Sequence, residues 1–277
     1  SKSHLGYFHP FFSELDIPTA NQFFSNTNQR RRGANVDVTP AHFFIAAEMV
    51  RQNITPNRLR QPVQLDYAYH FDAELLGQFL RKVALEKGVN HIDDKVEQVV
   101  CNKQGDIALL QTQKHGPLRG DFFVDCSGFK GVLIQQTLGE QVSSYKHQLF
   151  NDSAVAIQTE LQDQLPLSSE TISKALSCGW VWHIPLQNRY GNGYVYSSDY
   201  LSEEQAEQEL RALLGPSADG QKALHLHWQP GRIEQHWKRN CVAIGLSQGF
   251  LEPLEAPMLF IVQKSIERII DYFEQSD

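Results

Sequence analysis

Two carboxylates, Glu252 and Glu255, stand just ahead of a segment that begins at Pro257 and carries a strong helical repeat. Acids at a helix N-terminus gain from its dipole, so the pair could simply cap the helix. The apolar run Cys241–Gly245 leads into them through L-S-Q-G-F-L-E-P-L-E-A-P. A strand, a glycine-bearing turn and a helix N-terminus together make a ready anion or cofactor site. A second segment, D-F-F-V-D-C-S-G, delivers Asp125 to a Ser-Gly turn at the carboxyl end of a strand. Ligands of open α/β sheets bind at such ends, although a plain strand-to-loop turn reads the same way. Arg30–Arg32 form a basic run, read as a solvated face with a phosphate contact as the alternative. Cys101, Cys126, Cys178 and Cys241 are far apart, with no C-x-x-C and no His at ligand spacing. Reduced thiols and no metal centre are expected.

The elements that must carry these residues follow from patterning. Residues 1 to 39 read as loop-rich and aromatic, and Pro40 opens a helix through about Arg51. Asp72 caps a helix whose Leu75, Leu76, Phe79, Leu80 and Val83 share one face, and Gly88 ends it. Strands are expected at Val89–Ile92, Val96–Cys101, Ile107–Thr112 and Phe122–Cys126, with a hairpin turn at Gln104–Asp106. The middle is strand-rich: Ala154–Thr159, Trp180–Pro185, Gly193–Ser198 and Leu224–Trp228, with a turn at Asn188–Asn192. Ser202 to Gln205 form a capping box that opens a helix ending at Gly215. Pro257 suits the first helical position, where a missing N–H costs nothing.

The chain has 277 residues, 41% hydrophobic and 21% charged, an ordinary globular composition. At about 100–200 residues per domain it allows one or two domains. Its formal net charge of -7 makes it a poor partner for nucleic acid. No uninterrupted apolar stretch reaches the roughly 18 residues that span a bilayer. A cytoplasmic location is expected, with no membrane partner. The start at Ser1 and the helix running almost to the last residue read as cuts in a longer polypeptide; a tag-processed start is the alternative.

Gly179-Trp180-Val181-Trp182-His183-Ile184-Pro185 reads G-W-x-W-x-I-P, and in this the chain resembles the flavin-dependent tryptophan halogenases. Segments Y-A-Y-H-F-D-A-E-L-L-G-Q-F-L, D-F-F-V-D-C-S-G-F-K-G, L-F-N-D-S-A-V-A, G-Y-V-Y-S-S and N-C-V-A-I-G-L-S-Q-G-F-L-E-P-L-E resemble that family in the same order, from about His9 to Phe273. The resemblance implies a mixed α/β fold: an FAD-binding Rossmann-like unit of the aromatic-hydroxylase type with an inserted antiparallel β-sheet substrate region. It also implies truncation at both ends. The family's G-x-G-x-x-G loop is absent from this sequence, and Lys2 is too close to His9 to be the family's essential lysine. Without that loop the isolated chain is expected to bind FAD weakly. The regions expected are 1–150, part of the FAD-binding and substrate-pocket region; 151–236, a β-rich substrate region; and 237–277, the last FAD-binding strand and helix.

The activity implied is halogenation of an indole or another electron-rich ring, using reduced FAD, oxygen and chloride or bromide. A separate flavin reductase would supply the reduced FAD; a homodimer is an open expectation. By the same resemblance, Glu255 is the catalytic carboxylate. His9, Phe11 and Ala256 bind substrate, the two aromatic side chains by stacking. Gly245, Leu246, Gly249, Glu252, Pro253, Trp180 and Trp182 lie along the cofactor. The sequence departs from the family's usual E-P-L-E-S-T-G: Ala256 has no hydroxyl and Pro257 no N–H. That departure falls where halide and indole are held, so the substrate need not be free tryptophan. An FAD-dependent aromatic monooxygenase and a non-catalytic flavin or aromatic-ligand binder are the alternatives. Leu246 after Gly245, in place of the Gly-Asp usual in such monooxygenases, favours the halogenase.

Overall fold

The computed structural model describes residues 8–55, 65–161, 166–254 and 256–275. Its helices are α1 (Ile17–Arg31), α2 (Ile45–Arg51), α3 (Ala73–Glu86), α4 (Glu203–Leu214) and α5 (Pro257–Glu274). Its strands are β1 (Val96–Cys101), β2 (Ile107–Thr112), β3 (Gly116–Arg119), β4 (Phe123–Asp125), β5 (Val142–Ser144), β6 (Ser153–Thr159) and β7 (Ile172–Ala175). They continue with β8 (Gly179–Pro185), β9 (Tyr190–Tyr196), β10 (Ala223–His227), β11 (Gly231–Ile233), β12 (Trp237–Lys238), β13 (Cys241–Ala243) and β14 (Gly249–Phe250). The expected mixed α/β fold is the fold seen. The chain divides into two compact units, one of residues up to 78, 158–173 and 182–192, the other of 79–157, 174–181 and 193–277.

In the first unit the opening stretch is not all loop, as expected, but contains α1. Its sequence, I-P-T-A-N-Q-F-F-S-N-T-N-Q-R-R, is polar nearly all round and buries only Ala20, so no apolar stripe announced it. Pro18 sits in the first turn, and Arg30 and Arg31 close the last, where the dipole favours cations. Buried Asp16 joins this helix to the next. Its Oδ2 accepts from Ser13 N (3.0 Å) and Ser13 Oγ (2.9 Å), and its Oδ1 accepts from Ile45 N at the start of α2 (2.9 Å). The helix expected from Pro40 is broken: a 3-10 turn at Pro40–His42 precedes α2.

Asp72 caps α3 as expected, accepting from Glu74 N (3.0 Å) and Leu75 N (3.3 Å), and Gly88 follows with φ +85°. The strand expected at Val89–Ile92 does not form. Val89 N instead bonds back to the Ala84 carbonyl at the helix end, and both Val89 and Ile92 stay exposed.

In the second unit, β1, β2 and β3 form an antiparallel meander. A second small sheet has the order β12-β13-β4 and pairs β13 with β4 in parallel, Cys241 opposite Phe123 and Ala243 opposite Asp125. A third has the order β14-β11-β5. The largest sheet runs β10-β6-β9-β8-β7. One core packs Val155, Ile157, Tyr194 and Tyr196 under Ala206 and Leu210 of α4. The capping box at Ser202 forms as expected: Ser202 Oγ accepts from Gln205 N, and Gln205 Oε1 from Ser202 N. A second core gathers Ile107, Phe123, Leu133, Ile134, Ile233, Cys241 and Ala243 beneath the parallel pair. No residue of α5 is buried; Leu259, Phe260, Ile266, Ile270 and Phe273 of its apolar stripe are exposed.

Gly179 has a steric reason to open β8. A Cβ there would lie 1.9 Å from the Val195 carbonyl oxygen. Backbone cannot yield as a side-chain tip can, so Gly179→Ala is expected to destabilise by about 3 kcal/mol or more, at the upper end of overpacking effects. Chemical denaturation of the variant against the parent checks this.

Candidate functional site

Two loops meet at the carboxyl ends of β4 and β13. The first begins with Asp125, 1% exposed, whose carboxylate takes four donors. Oδ1 accepts from Ser127 N (2.9 Å) and Ser127 Oγ (2.6 Å); Oδ2 accepts from Leu133 N and Ile134 N (both 2.8 Å). Those last two N–H groups open a π-helical turn, Val132–Thr137, so the acid caps it. The second loop, from Gly245 onward, is stitched to the first. Ile244 N donates to the Asp125 carbonyl (3.0 Å), and Gln135 Nε2 donates to the Ser247 carbonyl (2.8 Å). Ser247 Oγ lies 2.5 Å from the Asp125 carbonyl and 3.0 Å from that of Ile244. Its single proton serves one of them at a time.

The expected strand ends early: β13 stops at Ala243, and Gly245–Ser247 form a 3-10 turn. Gly245 takes φ +76°, and Gly249 takes φ +146° with the Gly231 carbonyl 2.4 Å from where a Cβ would sit. Only glycine fits at Gly249. Beneath the loop, Phe250 meets Phe129 (5.6 Å) and Trp228 (5.3 Å) edge-on. Gln248 Nε2 and Trp228 Nε1 are buried with no hydrogen-bond partner among the described residues. An orphan donor of this kind costs roughly 1–3 kcal/mol until something polar meets it. Carboxyl ends of parallel strands, glycine-bearing turns and orphan N–H groups fit a large polar cofactor such as FAD.

Glu252 closes this loop. Its Oε1 accepts from the Trp180 indole Nε1 at 2.5 Å and from Asn151 Nδ2 at 2.7 Å. Glu252 is therefore no helix cap. The capping residue of α5 is Ala256, held at φ +50°, whose N–H bonds to the Pro253 carbonyl at 3.0 Å. Asn151 and Gly179 also line a recess of about 360 Å³ with Phe150, Ser177, Cys178, Ser197 and Tyr200. Cys241, beneath the loops, is unreactive by environment: burial, with the Asp125 carboxylate beside it, pushes its thiol up to about 12.

The structure thus brings together Gly245, Leu246, Gly249, Glu252, Pro253 and Trp180 in the second unit. Glu255 lies outside the described residues. His9, Phe11 and Trp182 belong to the first unit: His9 and Phe11 are exposed, Phe11 by 54%, and Trp182 is half-buried. Asn151, Ser247 and Gln248 were not legible as site residues. Asn151 meets Glu252 across 101 positions of sequence, and no local pattern announces such a pair. Among the described residues no group of three or more His, Cys, Asp or Glu could hold a metal ion. Nor, among them, is any helix long and apolar enough to cross a membrane.

A sequence profile described as tryptophan halogenase matches residues 2–277. Tryptophan 6-halogenase SttH of Streptomyces toxytricini is 44% identical over 225 residues, covering 81% of this chain and 43% of that protein. Tryptophan 7-halogenase RebH of Lentzea aerocolonigenes is 34% identical over 259 residues, 93% of this chain and 48% of that protein. The crystal structure of SttH superposes with a TM-score of 0.81 at 40% identity, over 87% of this chain and 51% of that one. The chain spans about half the length of the curated relatives it matches.

Proposed function

The chain belongs to the tryptophan halogenase family, and we propose that the full-length protein is a flavin-dependent halogenase of an indole or another electron-rich aromatic ring. The observation that carries this reading is the Trp180–Glu252 hydrogen bond. It joins the G-W-x-W-x-I-P strand to the glycine-turn loop that leads to Glu255, two segments that resemble the family. FAD bound in reduced form supplies the electrons with which oxygen and halide give an electrophilic halogen. In this proposal Gly245, Leu246, Gly249 and Pro253 shape the loop along the flavin. Trp180 and Trp182 keep the substrate ring away from it, which disfavours hydroxylation. His9 and Phe11 stack the ring. Glu255, with Ala256 beside it, steadies the ring cation and takes its proton. A separate flavin reductase, a cytoplasmic location and no nucleic-acid or membrane partner belong to the same proposal; a homodimer is its open part.

A second reading draws on Ala256-Pro257. Position 256 carries no hydroxyl and position 257 no N–H, so halide would be held less well than in the family's usual sequence. Hydroxylation of an aromatic, or ligand binding without turnover, would follow. The test assays the full-length parent with a flavin reductase, chloride or bromide, and indole or tryptophan. Halogenated product is expected, with bromide favoured over chloride. Hydroxylated product alone moves the protein to the monooxygenase reading, and no product at all to the non-catalytic one.

A further inference from the structure

We infer that Glu252 is a positioning residue for the proposed reaction: it clamps the loop leading to Glu255 in register with the tryptophan-bearing strand β8. The inference rests on the functional reading above and adds a role to it. Two N–H donors from distant parts of the chain converge on one oxygen of this carboxylate, Trp180 Nε1 at 2.5 Å and Asn151 Nδ2 at 2.7 Å. Hydrogen bonds to an ionised acceptor are shorter and stronger than those between neutral groups. Neither bond serves helix capping, which leaves loop placement as their effect.

Both donors are themselves held. Asn151 adjoins Asp152, whose carboxylate takes Ser198 N (2.8 Å), Ser198 Oγ (2.7 Å) and Lys146 Nζ (2.7 Å). The backbone of Asp152 is tied on both sides, its N–H to the Tyr196 carbonyl and its carbonyl to Trp228 N. Trp180 follows Gly179, which is pressed against the Val195 carbonyl so closely that no side chain fits. Glu252 thus ties the far end of the loop to a frame that is itself held. Downstream, the ring of Pro253 fixes its own φ, and its carbonyl accepts from Ala256 N. Displacing a reacting group by about 1 Å can cost ~10²-fold in rate, so releasing the clamp should let oxidant form without reaching the ring productively.

The experiment uses the full-length parent as wild type, Glu252→Gln, Trp180→Phe and the double variant, with reduced FAD supplied. Each single change is expected to lower halogenated product per reduced FAD consumed by about 10–10²-fold, with free hypohalous acid, caught by a sacrificial trap in solution, rising to match. The double variant should be no worse than the worse single, because both singles remove the same charge-assisted bond. The indole N–H resonance of Trp180 in ¹⁵N-labelled parent, assigned by its loss in Trp180→Phe, should move in Glu252→Gln. Additive losses, unchanged product per FAD, or an unmoved resonance each overturn the inference. A wild-type parent that makes no halogenated product removes the functional reading and this role with it; a halogenating parent whose variants stay coupled removes the role alone.

Discussion

Glu255→Gln in the full-length parent is expected to cut halogenated product by about 10²–10⁴-fold, the range for losing a positioned general base, while FAD still binds. The substitution keeps size and removes charge. Attack of an electrophilic halogen on an indole leaves a cation on the ring, and a neutral amide neither steadies that cation nor accepts its proton. The flavin is held by other residues in this proposal, so its dissociation constant should move little. Turnover with bromide and chloride, beside an FAD titration, separates the two effects. Equal turnover in both proteins would remove Glu255 from the chemistry.

Asp125→Ala is the change with the largest expected effect on folding. Four N–H and O–H donors converge on this nearly inaccessible carboxylate. Alanine would leave them facing a cavity, and removing one side of a buried charged network costs about 3–5 kcal/mol. Whole domains are stable by only about 5–15 kcal/mol, so soluble yield should fall sharply. Asp125→Asn is the informative companion. Its carbonyl can still serve one pair of donors, but its amide would point N–H groups at the other pair. A smaller loss is expected, seen as a lower thermal midpoint with folded protein still recovered. A midpoint unchanged in Asp125→Asn would mean that the negative charge contributes nothing to the turn it caps.

Where the chain advertises itself, the elements were legible. The stripe of α3, the capping box of α4 and the proline opening α5 each follow from a local rule. α1 was not legible, because a helix polar on nearly every side has no periodic signal. Strand lengths failed where tertiary context decides: β13 is three residues long because Gly245 turns the chain away. Val89–Ile92 has strand composition but no partner, and composition alone does not make a sheet. At the site, the segments could be read and their pairing could not. Glu252 and Trp180 were both expected along the cofactor, yet nothing in either segment says that one bonds the other. Asn151 and Ser198 lie in segments that resemble the family, yet neither segment marks them as donors to Glu252 and Asp152.

The bare stripe of α5 has a consequence for the material in the tube. Oily side chains along it stand in water, Phe260 at 62% and Leu259 at 59% exposure among them, and monomeric proteins seldom leave much apolar surface open. Produced by itself, this chain should behave as a surfactant-like colloid. It would adsorb to plastic and to other copies of itself, salt out early in sulfate, and stay dispersed in mild detergent.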